Sequence, residues 1–185
     1  MTCCVALKTK LKNGHTSLFL GGDAASCEGN EVMSTVDPKV FATGPYAMAF
    51  AGDFRVGQVL KYHFNPPEPP QDPEVLQRFM VTGFVNRMTE AMKKGGLWTK
   101  EEGLRIQDSE FIVAVKKRVF WVGPDLGILE MRDNMIAIGA GKEYALGSLV
   151  TSEGAPADVR VRKALEAANR FCPWVKPPYT IIRCT

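Results

Sequence analysis

Short apolar runs alternate with turn residues through the first fifty positions. Val5–Leu11 and Thr16–Leu20 flank Lys12-Asn13-Gly14. An Asn-Gly pair between two such runs predicts a hairpin, because both residues tolerate positive φ. Gly21-Gly22-Asp23 closes the second run. Lys39–Ala42 and Tyr46–Ala51, parted by Gly44-Pro45, predict a second hairpin, so the chain opens with roughly four strands of β-branched and aromatic content.

After Gly52 the spacing changes. Phe54, Val56, Val59, Leu60 and His63 recur at three- and four-residue intervals, which predicts a short helix. Asn65–Pro73 holds five prolines and reads as a stiff connector. Asp72 is then an N-cap, with Pro73 at the first helical position, where its missing N–H costs nothing. The helix runs to about Lys94 on one stripe, Leu76, Met80, Phe84, Met88 and Met92, and Gly95-Gly96 stops it.

Strands return at Glu110–Val115, Val119–Val122 and Ile128–Met131, with Met135–Ile138 as a further short run. Lys142–Leu149 and Asp158–Phe171 read as helices divided by Gly154–Pro156, and Pro177-Pro178 introduces a last strand, Tyr179–Arg183. Segregated runs of strands and helices favour α+β over an alternating parallel sheet. A four-layer αββα sandwich, two stacked antiparallel sheets with a helix pair on each outer face, would bury every stripe named. The order alone permits other packings.

Totals narrow the picture in three ways. A chain of 185 residues supports one core, so residues 1–185 are read as a single domain. The longest nearly uncharged stretch, Thr43–Gly52, is far too short to span a membrane, and Met1–Leu11 has the wrong order of charge and apolarity for a secretory signal. Net charge is +3, and its tightest basic cluster, Lys116, Lys117 and Arg118, sits between two apolar runs, as a solvated hairpin turn does, so nucleic acid is not an expected partner. The five cysteines are odd in number and form no C-x-x-C pairs, which points away from a disulfide framework and towards a reducing cytoplasm. With only His15 and His63 there is little basis for a zinc site, and no cofactor is expected.

Four local motifs, in this order, resemble proteasome β-subunits and the bacterial peptidase HslV. Thr2-Cys3-Cys4-Val5-Ala6-Leu7 resembles their mature start, a threonine opening an apolar strand. Leu20-Gly21-Gly22-Asp23 resembles the strand end that carries an acid, and Gly29-Asn30-Glu31-Val32-Met33 through Asp37-Pro38-Lys39-Val40 resembles the stretch that delivers a lysine. Ala137-Ile138-Gly139-Ala140-Gly141-Lys142-Glu143-Tyr144-Ala145-Leu146 resembles the family's glycine turn and following helix. The similarity runs from Thr2 to about Arg183.

The resemblance implies an N-terminal-nucleophile hydrolase of threonine-peptidase type. Once Met1 is removed, Thr2 would carry nucleophile and base in one residue: its hydroxyl attacks a carbonyl and its α-amine takes the proton. A free α-amine titrates near pH ~8, close to the operating range of a general base. Methionine before a small residue such as threonine is a common aminopeptidase substrate, so this removal is expected. Lys39 would favour the threonine oxygen anion, Asp23 would hold Lys39 charged, and Gly52 would turn a backbone N–H to the developing oxyanion. Phe50 and Phe54 would line the specificity pocket. By the same resemblance the partners are a peptide or unfolded protein substrate, further copies of the chain in a ring, and an ATPase unfoldase.

Taken singly, Thr2 reads as the start of an edge strand, Asp23 as a turn residue and Lys39 as a solvated lysine. Their placement relative to one another favours the site. Three departures from the family pattern stand beside it. Ala140 replaces a serine that family members often carry near the threonine amine, Cys172–Pro177 offers no match to the proteasomal acid and serine, and the first hairpin is longer. Two other readings stay open: an inactive structural subunit of the same fold, and an amidase acting on a small amide.

Overall fold

The computed structural model describes residues 1–10, 14–99, 103–104 and 109–184. The chain opens with β1 (Cys4–Lys10), β2 (Thr16–Gly22), β3 (Ala25–Glu28), β4 (Glu31–Ser34), β5 (Val40–Thr43) and β6 (Tyr46–Ala51). Helix α1 (Phe54–Tyr62) follows, then the proline segment, then α2 (Leu76–Phe79) and α3 (Val85–Lys94). A short ladder, β7 (Trp98–Thr99) with β8 (Gly103–Leu104), precedes β9 (Glu110–Val115), β10 (Arg118–Val122), β11 (Ile128–Glu130) and β12 (Met135–Ile138). Helices α4 (Lys142–Thr151) and α5 (Ala157–Phe171) and strand β13 (Thr180–Cys184) complete it.

Two main sheets form, ordered β12-β1-β2-β13 and β11-β10-β9-β6-β5, and every pairing in them is antiparallel. The expected first hairpin is present, with Lys10 opposite Thr16; its tip residues Lys12 and Asn13 lie outside the described residues. Strand β1 is interior to its sheet, because β12 pairs on its other side. The reading of Thr2 as the start of an edge strand is thereby corrected. The basic turn is also as expected: Lys116 and Lys117 take φ of 50° and 61°, the left-handed pair that a two-residue hairpin turn requires. Two ladders escape the sequence pattern, β3–β4 and β7–β8. In β3–β4 seven of the eight residues are at least partly exposed, Ala25 being the exception, so no continuous buried face gives them a period.

Strand alternation separates three clusters of buried residues. Cys4 and Ala6 of β1, with Leu18 and Leu20 of β2, meet Ala47, Ala49, Ala51, Ile112 and Ala114 of the other sheet. The neighbouring positions of β1, Val5 and Leu7, pack instead on Ala145, Leu149, Val161 and Leu165 of α4 and α5. On the second sheet Met48, Phe50, Phe111 and Val113 pack on α1 and on the predicted stripe Leu76, Met80, Phe84, Met88 and Met92. Period two therefore sends successive side chains of one strand into different clusters.

The stripe helix starts as expected, with the Asp72 side chain accepting from the Glu74 N–H at 2.9 Å and Pro73 opening a 3₁₀ turn. Its strict spacing of four would drift about 40° per step around an ideal α-helix. A π-turn at Met80–Phe84, between α2 and α3, widens the helix and takes up part of that drift, and all five stripe residues are fully buried. Among the described residues no helix is long and apolar enough to cross a membrane.

Candidate active site

The candidate site gathers where β1 begins, where β2 and β6 end, and where β12 turns into α4. Thr2 precedes β1 and is 1% exposed. Asp23 follows β2 and is equally enclosed, yet its carboxylate is fully partnered. Oδ1 accepts from the Cys3 N–H and from Lys39 Nζ, each at 2.9 Å. Oδ2 accepts from the Ala25 N–H at 2.9 Å and from the Lys176 N–H at 3.3 Å. Three backbone donors and one ammonium around a single carboxylate make an ionised aspartate tolerable in a buried place.

Lys39 is 0% exposed, so it is no solvated turn lysine. Its backbone carbonyl accepts from the Phe50 N–H at 3.2 Å, which ties it to β6, and its side chain forms a wholly buried ion pair with Asp23. Nζ also donates to the Met1 carbonyl at 3.4 Å. Because that carbonyl carbon is bonded to the Thr2 nitrogen, the ammonium lies against the Thr2 peptide. The Phe54 ring stands 5.7 Å from Nζ and adds a weak cation–π attraction.

From the other side the glycine turn closes on Thr2. Gly139 has φ +84°, and a Cβ built there would fall 2.3 Å from the Thr2 carbonyl oxygen and 3.2 Å from the Ala51 Cβ. Only glycine permits this approach at this backbone angle. The Gly141 N–H donates to the same Thr2 carbonyl at 3.2 Å. Gly139→Ala is therefore expected to destabilise the protein by about 1–3 kcal/mol and to displace Thr2. Urea unfolding measures the first effect; unchanged stability would mean that the turn yields freely.

Gly52 follows Ala51 with φ +119° and is partly buried. The structure thus brings Thr2, Asp23 and Lys39 into one contact set, with Phe54 beside Lys39 and Gly52 one residue beyond the Ala51–Gly139 contact. Phe50 is placed differently. It is 4% exposed, its ring lies under Gly57 in the helix-side cluster, and it meets Phe54 edge-on at 5.8 Å. Its link to the site is through its backbone, since its carbonyl also accepts from Cys4 Sγ at 3.4 Å.

Two residues that the motif reading left out hold the turns in place. Ser109, 1% exposed, accepts through Oγ from the Asp53 N–H at 3.2 Å and so fixes the turn carrying Gly52. Its neighbour Glu110 accepts from the Gly139 N–H at 2.9 Å through one oxygen and from Trp121 Nε1 at 2.9 Å through the other. A single dipeptide at the start of β9 thereby pins both glycine turns. These links span 56 and 29 residues, and nothing in local spacing announces them. Burial and the neighbouring Asp23 carboxylate push the thiol of Cys3 well above the usual range, and burial does the same at Cys4, so neither adjacent sulfur is a ready thiolate.

No protein-family model matches the sequence. Among solved structures, the chain is similar to BPH of Thiobacillus denitrificans, at 21% identity over 99% of this chain and 97% of that one, with a TM-score of 0.75. BPH in complex with epoxomicin gives 18% identity, 97% of each chain and a TM-score of 0.76. Eukaryotic HslV from Trypanosoma brucei gives 18% identity, 98% of each chain and a TM-score of 0.68. At these identities the likeness shows a shared fold: the chain has the mixed α+β architecture with antiparallel sheets of BPH and HslV.

Proposed function

We propose that this chain is a threonine-type peptidase whose nucleophile is Thr2 after loss of Met1. The observation that carries the reading is the buried Asp23–Lys39 pair, with its ammonium against the Thr2 peptide. The three buried clusters are the fillings of a four-layer αββα sandwich, a single domain over residues 1–185. The fold shared with HslV supports the same reading.

With Met1 gone, the Thr2 nitrogen is a free amine. The Thr2 Oγ attacks a substrate carbonyl as its proton passes to that amine, directly or through water. Lys39 stabilises the oxygen anion that forms, and Asp23 balances the lysine charge and fixes its head. The tetrahedral oxyanion is received by a backbone N–H at Gly52, in a turn that Ser109 holds. Collapse breaks the C–N bond, the leaving amine takes the proton back from the threonine ammonium, and water then hydrolyses the ester. Phe54, partly exposed beside Lys39, borders the substrate side chain, and Phe50 backs it from the core. The partners are an unfolded chain or peptide as substrate, further copies in a ring, and an ATPase that feeds the ring, in the cytoplasm.

Intact mass spectrometry of protein from its native host, with and without epoxomicin, tests the reading. The expected masses lack Met1 and rise by one inhibitor per chain. Met1 retained on native protein would end the proposal, because an acylated nitrogen is no base. Turnover of peptides against small amides separates the peptidase from an amidase. A second reading, an inactive structural subunit, draws on Ala140, where the family's serine hydroxyl is missing beside the glycine turn. It expects no adduct at all.

A further inference from the structure

Thr2 and Gly52 flank strands of different sheets, Thr2 just before β1 and Gly52 just after β6. A nucleophile and an oxyanion donor mounted in this way need a device that sets the gap between them. Sheets that meet through packed side chains do not by themselves fix that gap closely, and small misplacements of reacting groups are costly. Ser109 and Glu110 stand where such a device belongs. Glu110 is the ladder partner of Ala51, so the dipeptide lies across from the Ala51-Gly52 turn.

On the Gly52 side the need is local. Gly52 holds φ +119°, an angle that L side chains rarely adopt, and Asp53 after it is the N-cap of α1. The Asp53 carboxylate is committed forwards, accepting from the Arg55 N–H at 2.7 Å, and the Asp53 carbonyl accepts from the Gly57 N–H at 3.2 Å. In a capping box, the N–H of the N-cap residue is taken by a Glu or Gln three positions on. Here that position is Val56, which is wholly buried and has no acceptor to offer. Ser109 Oγ takes the Asp53 N–H instead, at 3.2 Å. Gly52 is thus held from both sides, by the ladder at Ala51 and by Ser109 at Asp53.

Glu110 acts on the Thr2 side. One carboxylate oxygen accepts from the Gly139 N–H at 2.9 Å, and Gly139 closes on the Thr2 carbonyl. Trp121 Nε1 donates to the other oxygen at 2.9 Å from β10, which fixes the orientation of the carboxylate.

We propose that Ser109 and Glu110 are positioning residues for the peptidase reaction. Ser109 aims the Gly52 N–H, Glu110 seats the turn behind Thr2, and together they set the gap between nucleophile and oxyanion donor. The inference rests on the peptidase reading and adds to it that turnover depends on a dipeptide with no assigned contact to substrate. Binding of the ground-state peptide does not use this gap, so the loss should fall on kcat and spare KM.

Steady-state peptide cleavage, on samples whose folded fraction is measured by urea unfolding, tests this. Ser109→Ala leaves the Asp53 N–H without its acceptor and should lower kcat about tenfold or more, with KM within about twofold of the parent. Glu110→Ala frees the Gly139 N–H and should lower kcat by a similar factor. Glu110→Gln combined with Trp121→Phe keeps an acceptor for Gly139 and removes the donor that the amide nitrogen would oppose. It should hold kcat within about threefold of the parent, although it gives up the Trp121 bond and indole packing. That rescue separates positioning from a merely structural role. Should Ser109→Ala fail to fold, the Glu110 variants decide alone. An unchanged kcat per folded chain in either alanine variant, or no rescue in the double variant, overturns the proposal. A parent chain that cleaves no peptide ends the peptidase reading and this inference with it. A parent that cleaves while the alanine variants match it ends this inference alone.

Discussion

If the proposed reading holds, Thr2→Ala is expected to abolish peptide cleavage and epoxomicin labelling while leaving the fold in place. The change removes the only atom assigned to attack the carbonyl, and losses on removing a nucleophile run to about 10⁴-fold or more in turnover. The scaffold should survive, because the contacts holding residue 2 are made by its backbone. Its carbonyl accepts from Gly141, and the next N–H is held by Asp23. The lost side-chain packing is worth about 1 kcal/mol. Thr2→Ser keeps a hydroxyl and should keep measurable cleavage. A Thr2→Ala protein that cleaves at the parental rate would remove threonine from the mechanism; a parental chain with no cleavage to lose would favour the structural subunit.

Asp23→Ala carries the largest expected cost in stability. It removes the acceptor of four hydrogen bonds and leaves Lys39 as an unpaired ammonium in a site that is 0% exposed. Breaking one partner of a buried pair costs about 3–5 kcal/mol. That is a large share of a typical folding stability of about 5–15 kcal/mol. The sign of the next step separates structure from chemistry. Adding Lys39→Met to Asp23→Ala removes the stranded charge and should recover part of the stability. Cleavage should stay absent, because no ammonium remains to favour the threonine oxygen anion. Urea unfolding and peptide turnover measured on the same samples give both readings. Recovery of activity in the double variant would show that Lys39 acts only on the fold.

Much of the architecture was legible because the inner strands of the two main sheets are largely buried on both faces and bounded by turn residues. The stripe from Leu76 to Met92, the Asp72-Pro73 start and the Gly95-Gly96 stop each have a local chemical cause, and each is found in place. What local pattern could not supply was β3–β4, a ladder without a continuous buried face, and β7–β8, two residues a side. The candidate site was legible in a narrower sense. Thr2, Asp23 and Lys39 are singled out by resemblance, since taken one at a time they read as an edge strand start, a turn acid and a surface lysine.

The sequence by itself determined where the helices and the strands of the two main sheets roughly begin and end, because hydrophobic period, proline, glycine and capping side chains act within a few residues. It also determined that one threonine follows Met1 and that Ala140 brings no hydroxyl to the glycine turn. Only the tertiary structure decided that Lys39 is buried and paired, that β1 is an inner strand, and that Ser109 and Glu110 pin the two glycine turns. The physical reason is range. Three of the four groups around the buried Asp23 charge lie 16 to 153 residues away in the chain, and those neighbours exist only once two sheets have met. The same holds for Arg160 of α5, whose burial and bond to the Leu149 carbonyl are invisible in the helix that carries it.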